Sequence, residues 1–182
     1  MNVTIFGGAA PQTNGTSYQD AFRLGQKLAL AGHVVLTGGY IGTMEAASRG
    51  AAESGGHVIG VTCGEVERWR NVKANAWVLE ERHFPSLHER LLALIDGCDA
   101  AIALPGGVGT LLEIAMMWNR MTVDALPRMP LILVGSGWRE TMEAFFTAQA
   151  DYVSQNSRSL LFFADSVDEA LDILNAYDRA EK

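Results

Sequence analysis

The chain has 182 residues, 48% of them hydrophobic and 19% charged, a balance that suits one compact α/β domain over 1–182 with a sizeable core. Its net charge of −7, from 14 basic and 21 acidic residues, excludes a nucleic-acid backbone as main partner, because no basic stripe exists to release counterions. Cys63 and Cys98 match no metal-ligand spacing and read as free thiols of a reducing cytoplasm, and no apolar run reaches the roughly 20 residues of a membrane span.

Val3-Thr4-Ile5-Phe6 reads as a buried strand that ends at Gly7-Gly8-Ala9-Ala10-Pro11, and it is a strand rather than a signal peptide. Glycines after a first strand stand where open α/β sheets bind ligands. Ser17-x-x-Asp20 has the spacing of a helix cap, for a helix to about Ala31 with Phe22, Leu24, Leu28 and Leu30 on one face. Gly32 stops it. His33–Leu36 is a second strand. It runs through Thr37 into Gly38-Gly39-Tyr40-Ile41-Gly42-Thr43-Met44-Glu45, a second strand–glycine–helix junction, and an Ala-rich helix follows over Met44–Ala52. Gly55-Gly56 turns the chain into a strand over His57–Val61. Residues 62–75 show no clear periodicity and are expected as a long loop, either a functional lid or a surface excursion. Ala76–Leu79 is expected as a short strand. Ser86-Leu87-His88-Glu89 is a capping box that opens a helix to about Asp96, with Leu87, Leu91, Leu94 and Ile95 inward and Arg90 at the border of that face.

Asp99–Leu104 is the next strand, and it feeds Pro105-Gly106-Gly107-Val108-Gly109-Thr110-Leu111-Leu112-Glu113. Glycines at a strand-to-helix turn let backbone N–H groups approach an anion, and the helix N-terminus adds partial positive charge there. Thr110 can add a hydroxyl. Glu113 lies four residues after Gly109, on the same helix face, so a carboxylate stands beside whatever the glycines hold. Such turns also serve packing alone, and a first-turn Glu is also a routine dipole partner. The helix that follows is apolar nearly all round. Met116, Met117, Trp118 and Met121 call for cover beyond one sheet, from a second subunit or from Leu171 and Leu174 of a C-terminal helix; a homodimer is expected. Pro130–Val134 is a strand, Trp138–Gln149 a helix, Leu160–Phe163 a last strand, and Ser166-x-x-Glu169 caps a helix ending near Tyr177. The alternation implies a doubly wound, mainly parallel, Rossmann-like sheet with helices on both faces. The Gly-x-Gly-x-x-Gly fingerprint is missing after the first strand, which weighs against NAD.

Residues 105–113 match the Pro-Gly-Gly-x-Gly-Thr-x-x-Glu motif of the LOG family at every fixed position, and His88-Glu89-Arg90 resembles the family's His-Glu-Arg-Lys helix. The first two glycine junctions fall where the family has them. Leu91 stands where the family has Lys, and Gly7-Gly8-Ala9-Ala10 replaces its usual Cys-Gly-Ser-Ser. The second junction differs from the common Gly-Gly-Gly-x-x-Gly-Leu-Met-Gly and looks closer to a sub-branch near molybdenum-cofactor carrier-like proteins.

The resemblance implies hydrolysis of the N-glycosidic bond of a nucleoside 5'-monophosphate, AMP or a cytokinin riboside monophosphate, to free base and ribose 5-phosphate. Arg90 and Glu113 would be catalytic. Gly8, Gly39, Gly42, Thr43, Gly106, Gly107, Val108, Gly109 and Thr110 would hold the substrate and its phosphate. Neither a metal nor a cofactor is implied, and the family's assemblies imply a dimer. Two other classes stay open. A carrier of a phosphorylated ligand such as molybdenum cofactor needs the cradle without the Arg90–Glu113 pair. A pyridoxal-phosphate decarboxylase needs a Schiff-base lysine, and Lys27, Lys73 and Lys182 all lie away from the glycine junctions.

Overall fold

The computed structural model describes residues 1–180. Seven strands form one sheet: β1 (Asn2–Phe6), β2 (Val34–Thr37), β3 (Val58–Cys63), β4 (Glu80–Phe84), β5 (Ala100–Ala103), β6 (Leu131–Val134) and β7 (Leu161–Ala164). Their order is β4-β3-β2-β1-β5-β6-β7, and every neighbouring pair is parallel. The helices between them are α1 (Thr16–Leu30), α2 (Thr43–Glu53), α3 (Gly64–Arg70), α4 (Leu87–Asp96), α5 (Val108–Thr122), α6 (Ser136–Ala148), α7 (Gln155–Arg158) and α8 (Val167–Ala180). The expected doubly wound architecture is the one observed.

Alternation along each strand sends side chains to two cores. Ile5, Val35, Ile102 and Ile132 meet Leu24 and Leu28 of α1, Ala47 of α2 and Leu174 of α8 on one face. Phe6, Leu36, Val61 and Leu133 meet Leu94 of α4, Ile114 and Met117 of α5 and Met142 of α6 on the other. Consecutive strands step outward from β1 to β4 and then from β5 to β7, so the chain reverses direction between β1 and β5. At such a reversal the loops after neighbouring strands diverge and leave a crevice at their C-terminal ends.

Several local expectations change. Residues 62–75 are not a loop throughout: Thr62 and Cys63 complete β3, and Gly64–Arg70 is helical. The strand expected at Ala76–Leu79 is instead Glu80–Phe84, a polar edge strand. Ser17 does not cap α1, which starts one residue earlier behind Gly15. Leu30 and Leu87, expected inward, are exposed, whereas Arg90, expected at the border, is buried.

The helix after the central motif is covered from within the chain more than its composition suggests. Met117 and Met121 are core residues. Trp118 donates its ring N–H to the Ser157 carbonyl of α7 (2.8 Å) and packs edge-on against Phe145 and Phe146 of α6. The C-terminal helix lies on the opposite core and covers none of this.

Candidate functional site

The site is built at the β1–β5 crevice from the three glycine junctions. The junction after β5 is open. Gly106, Gly107, Val108 and Gly109 are exposed, and Gly107 is the N-cap of α5 with no side-chain hydrogen bond at the cap. The first turn's N–H groups have no partner within a helix by construction. The regular ladder begins only where the Leu111 N–H reaches the Gly107 carbonyl (3.0 Å). Val108, Gly109 and Thr110 thus present backbone donors at the positive end of a fifteen-residue helix. Thr110 is buried beneath them, its hydroxyl against the Gly106 backbone.

The junction after β2 is closed. Gly39 and Gly42 have left-handed φ values of +76° and +72°, and a Cβ on Gly42 would run into the Gly8 carbonyl. The Gly39 N–H is bound by the Thr37 hydroxyl (3.1 Å). Thr43 directs both its N–H and its hydroxyl at the Gly8 carbonyl (3.0 Å each). Gly8 in turn donates its N–H to the Pro105 carbonyl (3.3 Å). Of the nine expected binding residues, those at 106–110 have backbone N–H groups with no partner among the described residues, while Gly8, Gly39 and Thr43 have theirs engaged inside the protein and, with Gly42, shape the floor. A hollow of about 200 Å³ lies beside this floor, lined by Pro11, Tyr18, Gly42 and Glu45 among others.

Arg90 enters from the first turn of α4, whose capping box is present as read: Ser86 accepts from the Glu89 N–H, and the Glu89 carboxylate reaches back to the Ser86 N–H. Arg90 is only 7% exposed. Its Nε donates to the Val61 carbonyl (2.8 Å) and its Nη2 to the Gly38 carbonyl (3.2 Å). A Cβ on Gly38 would overlap Nη2, so glycine is what lets the guanidinium lie there. The Tyr40 ring faces the guanidinium at 5.5 Å.

Glu113 is half-buried one turn inside α5. Burial pushes its carboxyl up to about 7, and the positive charge of Arg90 pulls the other way. Burial wins because no direct ion pair joins the two among the described residues. A carboxyl that exchanges its proton near neutrality, next to a buried cation and one turn from an open anion cradle, can orient a water and stabilise positive charge on a sugar.

The other chemistry-bearing groups lie apart. Glu67, Glu81 and His83 offer ligand atoms within 4.8 Å of one another at the β3–β4 edge. They are at least partly exposed, and bonds inside the cluster account for them: the Thr62 hydroxyl donates to Glu81 (2.6 Å) and lies 3.1 Å from His83 Nδ1. Lys73 lines a separate hollow with Glu67, Glu81 and His83, Lys27 pairs with Asp168 (2.7 Å) on the surface, and Lys182 falls outside the described residues. His88 is exposed on α4. Two residues of the floor had no sequence signal as such: Tyr40, and Asn75, whose side-chain amide donates to the carbonyls of Gly39 (3.0 Å) and Tyr40 (2.9 Å).

A seven-stranded parallel sheet with helices on both faces, and an open glycine junction at its reversal point, defines a Rossmann-like α/β protein. The chain belongs to the SLOG cluster4 family, whose model matches residues 1–155. The resemblance to LOG proteins read from the motif holds across the chain. A rice protein described as probable cytokinin riboside 5'-monophosphate phosphoribohydrolase LOGL5 is 31% identical over 180 residues, 96% of this chain and 72% of that protein. The cytokinin riboside 5'-monophosphate phosphoribohydrolase of Mycobacterium marinum is 29% identical over 93% of this chain and 90% of its own length. Among solved structures, the molybdenum cofactor binding protein of Rippkaea orientalis superposes with a TM-score of 0.75 at 25% identity, covering 97% of this chain and 96% of that one.

Proposed function

We propose that this protein is a phosphoribohydrolase that cleaves the N-glycosidic bond of a nucleoside 5'-monophosphate of the AMP or cytokinin riboside type. The observation that carries the reading is the placement of Glu113. Its carboxyl sits one turn inside the helix whose N-terminus is free for a phosphate, with burial holding it near neutral pH. The N–H groups of Val108, Gly109 and Thr110 bind the 5'-phosphate. That fixes the ribose close to Glu113. As the bond to the base lengthens, positive charge develops on the sugar; ionised Glu113 stabilises it and orients the attacking water. Arg90 orients the substrate with donors that its two carbonyl bonds leave available. The likeness to relatives named as phosphoribohydrolases supports this chemistry.

The test is direct. Purified protein is incubated with AMP and with an N6-substituted AMP, and base release is followed by chromatography. Release of stoichiometric base and ribose 5-phosphate supports hydrolysis. A second reading, a carrier of molybdenum cofactor, draws on the likeness to the Rippkaea protein. It predicts no base release but retention of the molybdopterin through gel filtration.

We further infer that the protein works as a homodimer in the cytoplasm. The stripe formed by Val108, Leu111, Leu112 and Ala115 of α5 is exposed, and it begins at the cradle itself. Trp118, covered by α6 and α7, is not part of it. Leu111 and Leu112 are 41% and 44% exposed, and a twofold contact is the commonest way to cover such a face. A Leu112→Asp substitution then yields monomers by light scattering where the parent chain gives dimers. The two free, buried thiols suit a reducing compartment.

A further inference from the structure

Tyr40 is a large aromatic side chain inside a glycine junction, where neither the sheet's pairing nor the bond cleavage itself calls for one. It is 1% exposed. Its hydroxyl makes two hydrogen bonds to one residue: it accepts from the Cys63 N–H (2.7 Å) and donates to the Cys63 carbonyl (3.1 Å). Its own carbonyl is held by the Asn75 side chain. A phenol fixed at both ends in this way has one ring orientation, and that ring faces the Arg90 guanidinium. The guanidinium is therefore confined on three sides: Nε by Val61, Nη2 by Gly38, and one flat face by Tyr40.

We propose that Tyr40 is a positioning residue, which holds the Arg90 guanidinium at the crevice floor so that its charge acts on Glu113 and on the bound nucleotide. The inference rests on the hydrolase reading for its kinetic consequences but not for its electrostatic one. A cation over an aromatic face gains most where water is excluded, as it is here. Arginine has several rotamers of similar energy, and each hydrogen-bonding edge that is lost frees some of them. The charged and titratable groups involved are few. Arg90 is the charged neighbour that acts on Glu113, and Cys63, Arg90 and Glu67 surround Tyr40.

The consequence has a sign. Arg90 draws the Glu113 carboxyl down while burial raises it. If Tyr40 is lost and the guanidinium swings away, burial acts alone and Glu113 titrates higher. A residue with a purely structural role would lower the melting temperature and leave that titration where it was.

The experiment uses the full chain with carboxyl-13C-labelled glutamate, the Glu113 resonance being assigned by its absence in Glu113→Gln. The Glu113 midpoint is measured in wild type, Tyr40→Leu and Tyr40→Phe, alongside the pH profile of AMP hydrolysis. In Tyr40→Leu the midpoint moves up by about half a pH unit or more, and kcat per folded molecule falls about tenfold with a smaller change in KM. Tyr40→Phe keeps the ring but not its anchor, and falls between. Should Tyr40→Leu fail to fold, Tyr40→Phe alone decides by the same titration. An unchanged Glu113 midpoint in folded variants overturns the proposal. A wild type that releases no base overturns the hydrolase reading instead, and the titration still decides for or against Tyr40.

Discussion

The junctions after β2 and β5 are written in nearly the same letters, Gly-Gly-Tyr-Ile-Gly-Thr and Gly-Gly-Val-Gly-Thr, yet they do opposite things. At the first, glycine is needed because backbone crowds backbone. Gly42 takes a left-handed φ under the Gly8 carbonyl, and the Thr43 donors are turned inward. At the second, a Cβ on Gly107 or Gly109 would meet nothing, and the donors face outward at the end of a long helix. One junction is a packed floor and the other a cradle. The difference lies in what each faces: α2 starts against the loop after β1, whereas α5 starts at the crevice.

That contrast can be broken from either side. The largest effect is expected beside the cradle: Glu113→Gln lowers the rate of base release from AMP by about a thousandfold while nucleotide binding persists, read by steady-state kinetics and calorimetry. Gly109→Asp follows. The site has room for the side chain, and an acidic residue in a first helical turn favours the helix. The variant therefore keeps or slightly raises its melting temperature, while its negative charge opposes the phosphate and raises KM about tenfold or more. On the floor the pattern inverts. Gly42→Ala forces a Cβ toward the Gly8 carbonyl at a strained φ, costs about 2–3 kcal/mol, and lowers the melting temperature by roughly 5–10 °C.

The smallest effect concerns pH and stability. Glu113 titrates at about 7 in the folded chain against 4.5 ordinarily. Between those values the native state binds more protons than the unfolded one, so this group's contribution falls as pH rises through the window. Glutamine does not titrate. Glu113→Gln should therefore melt roughly 3–6 °C above the parent at pH 8 and at nearly the same temperature at pH 4. A difference of equal size at both pH values would mean that the carboxyl is not held near neutrality.

The cradle was legible because it is local: strand, glycines, helix and Glu113 all lie within one short stretch, and nothing distant is needed to see them together. The alternation of apolar strands with helices fixed the sheet for the same reason. What escaped is long-range or polar. β4 is Glu-Glu-Arg-His-Phe, an edge strand with no apolar run to mark it. Residues 64–70 form a short helix with no buried side chain, so no periodicity was there to find. Leu30 and Leu87 follow helical spacing but sit at helix ends that overrun the core. Arg90 looked like a border residue because the carbonyls that bury it belong to β3 and to the junction after β2, far away in sequence. The partners of Trp118, on α6 and α7, were hidden in the same way.

Gly8 joins the two junctions that otherwise contrast. Its carbonyl receives two donors from Thr43, and its N–H goes to Pro105, so the two peptide planes that meet at the Gly8 Cα are stitched to the loops after β2 and β5. With a plane held on each side, the φ and ψ of Gly8 cannot change without breaking one set of bonds or the other. In hydrogen exchange the amides of Gly8 and Thr43 should thus open together, as one cooperative step, while those of Val108, Gly109 and Thr110 exchange freely until an anion covers them. That outcome would separate two timescales at one crevice, a slow floor and a fast rim.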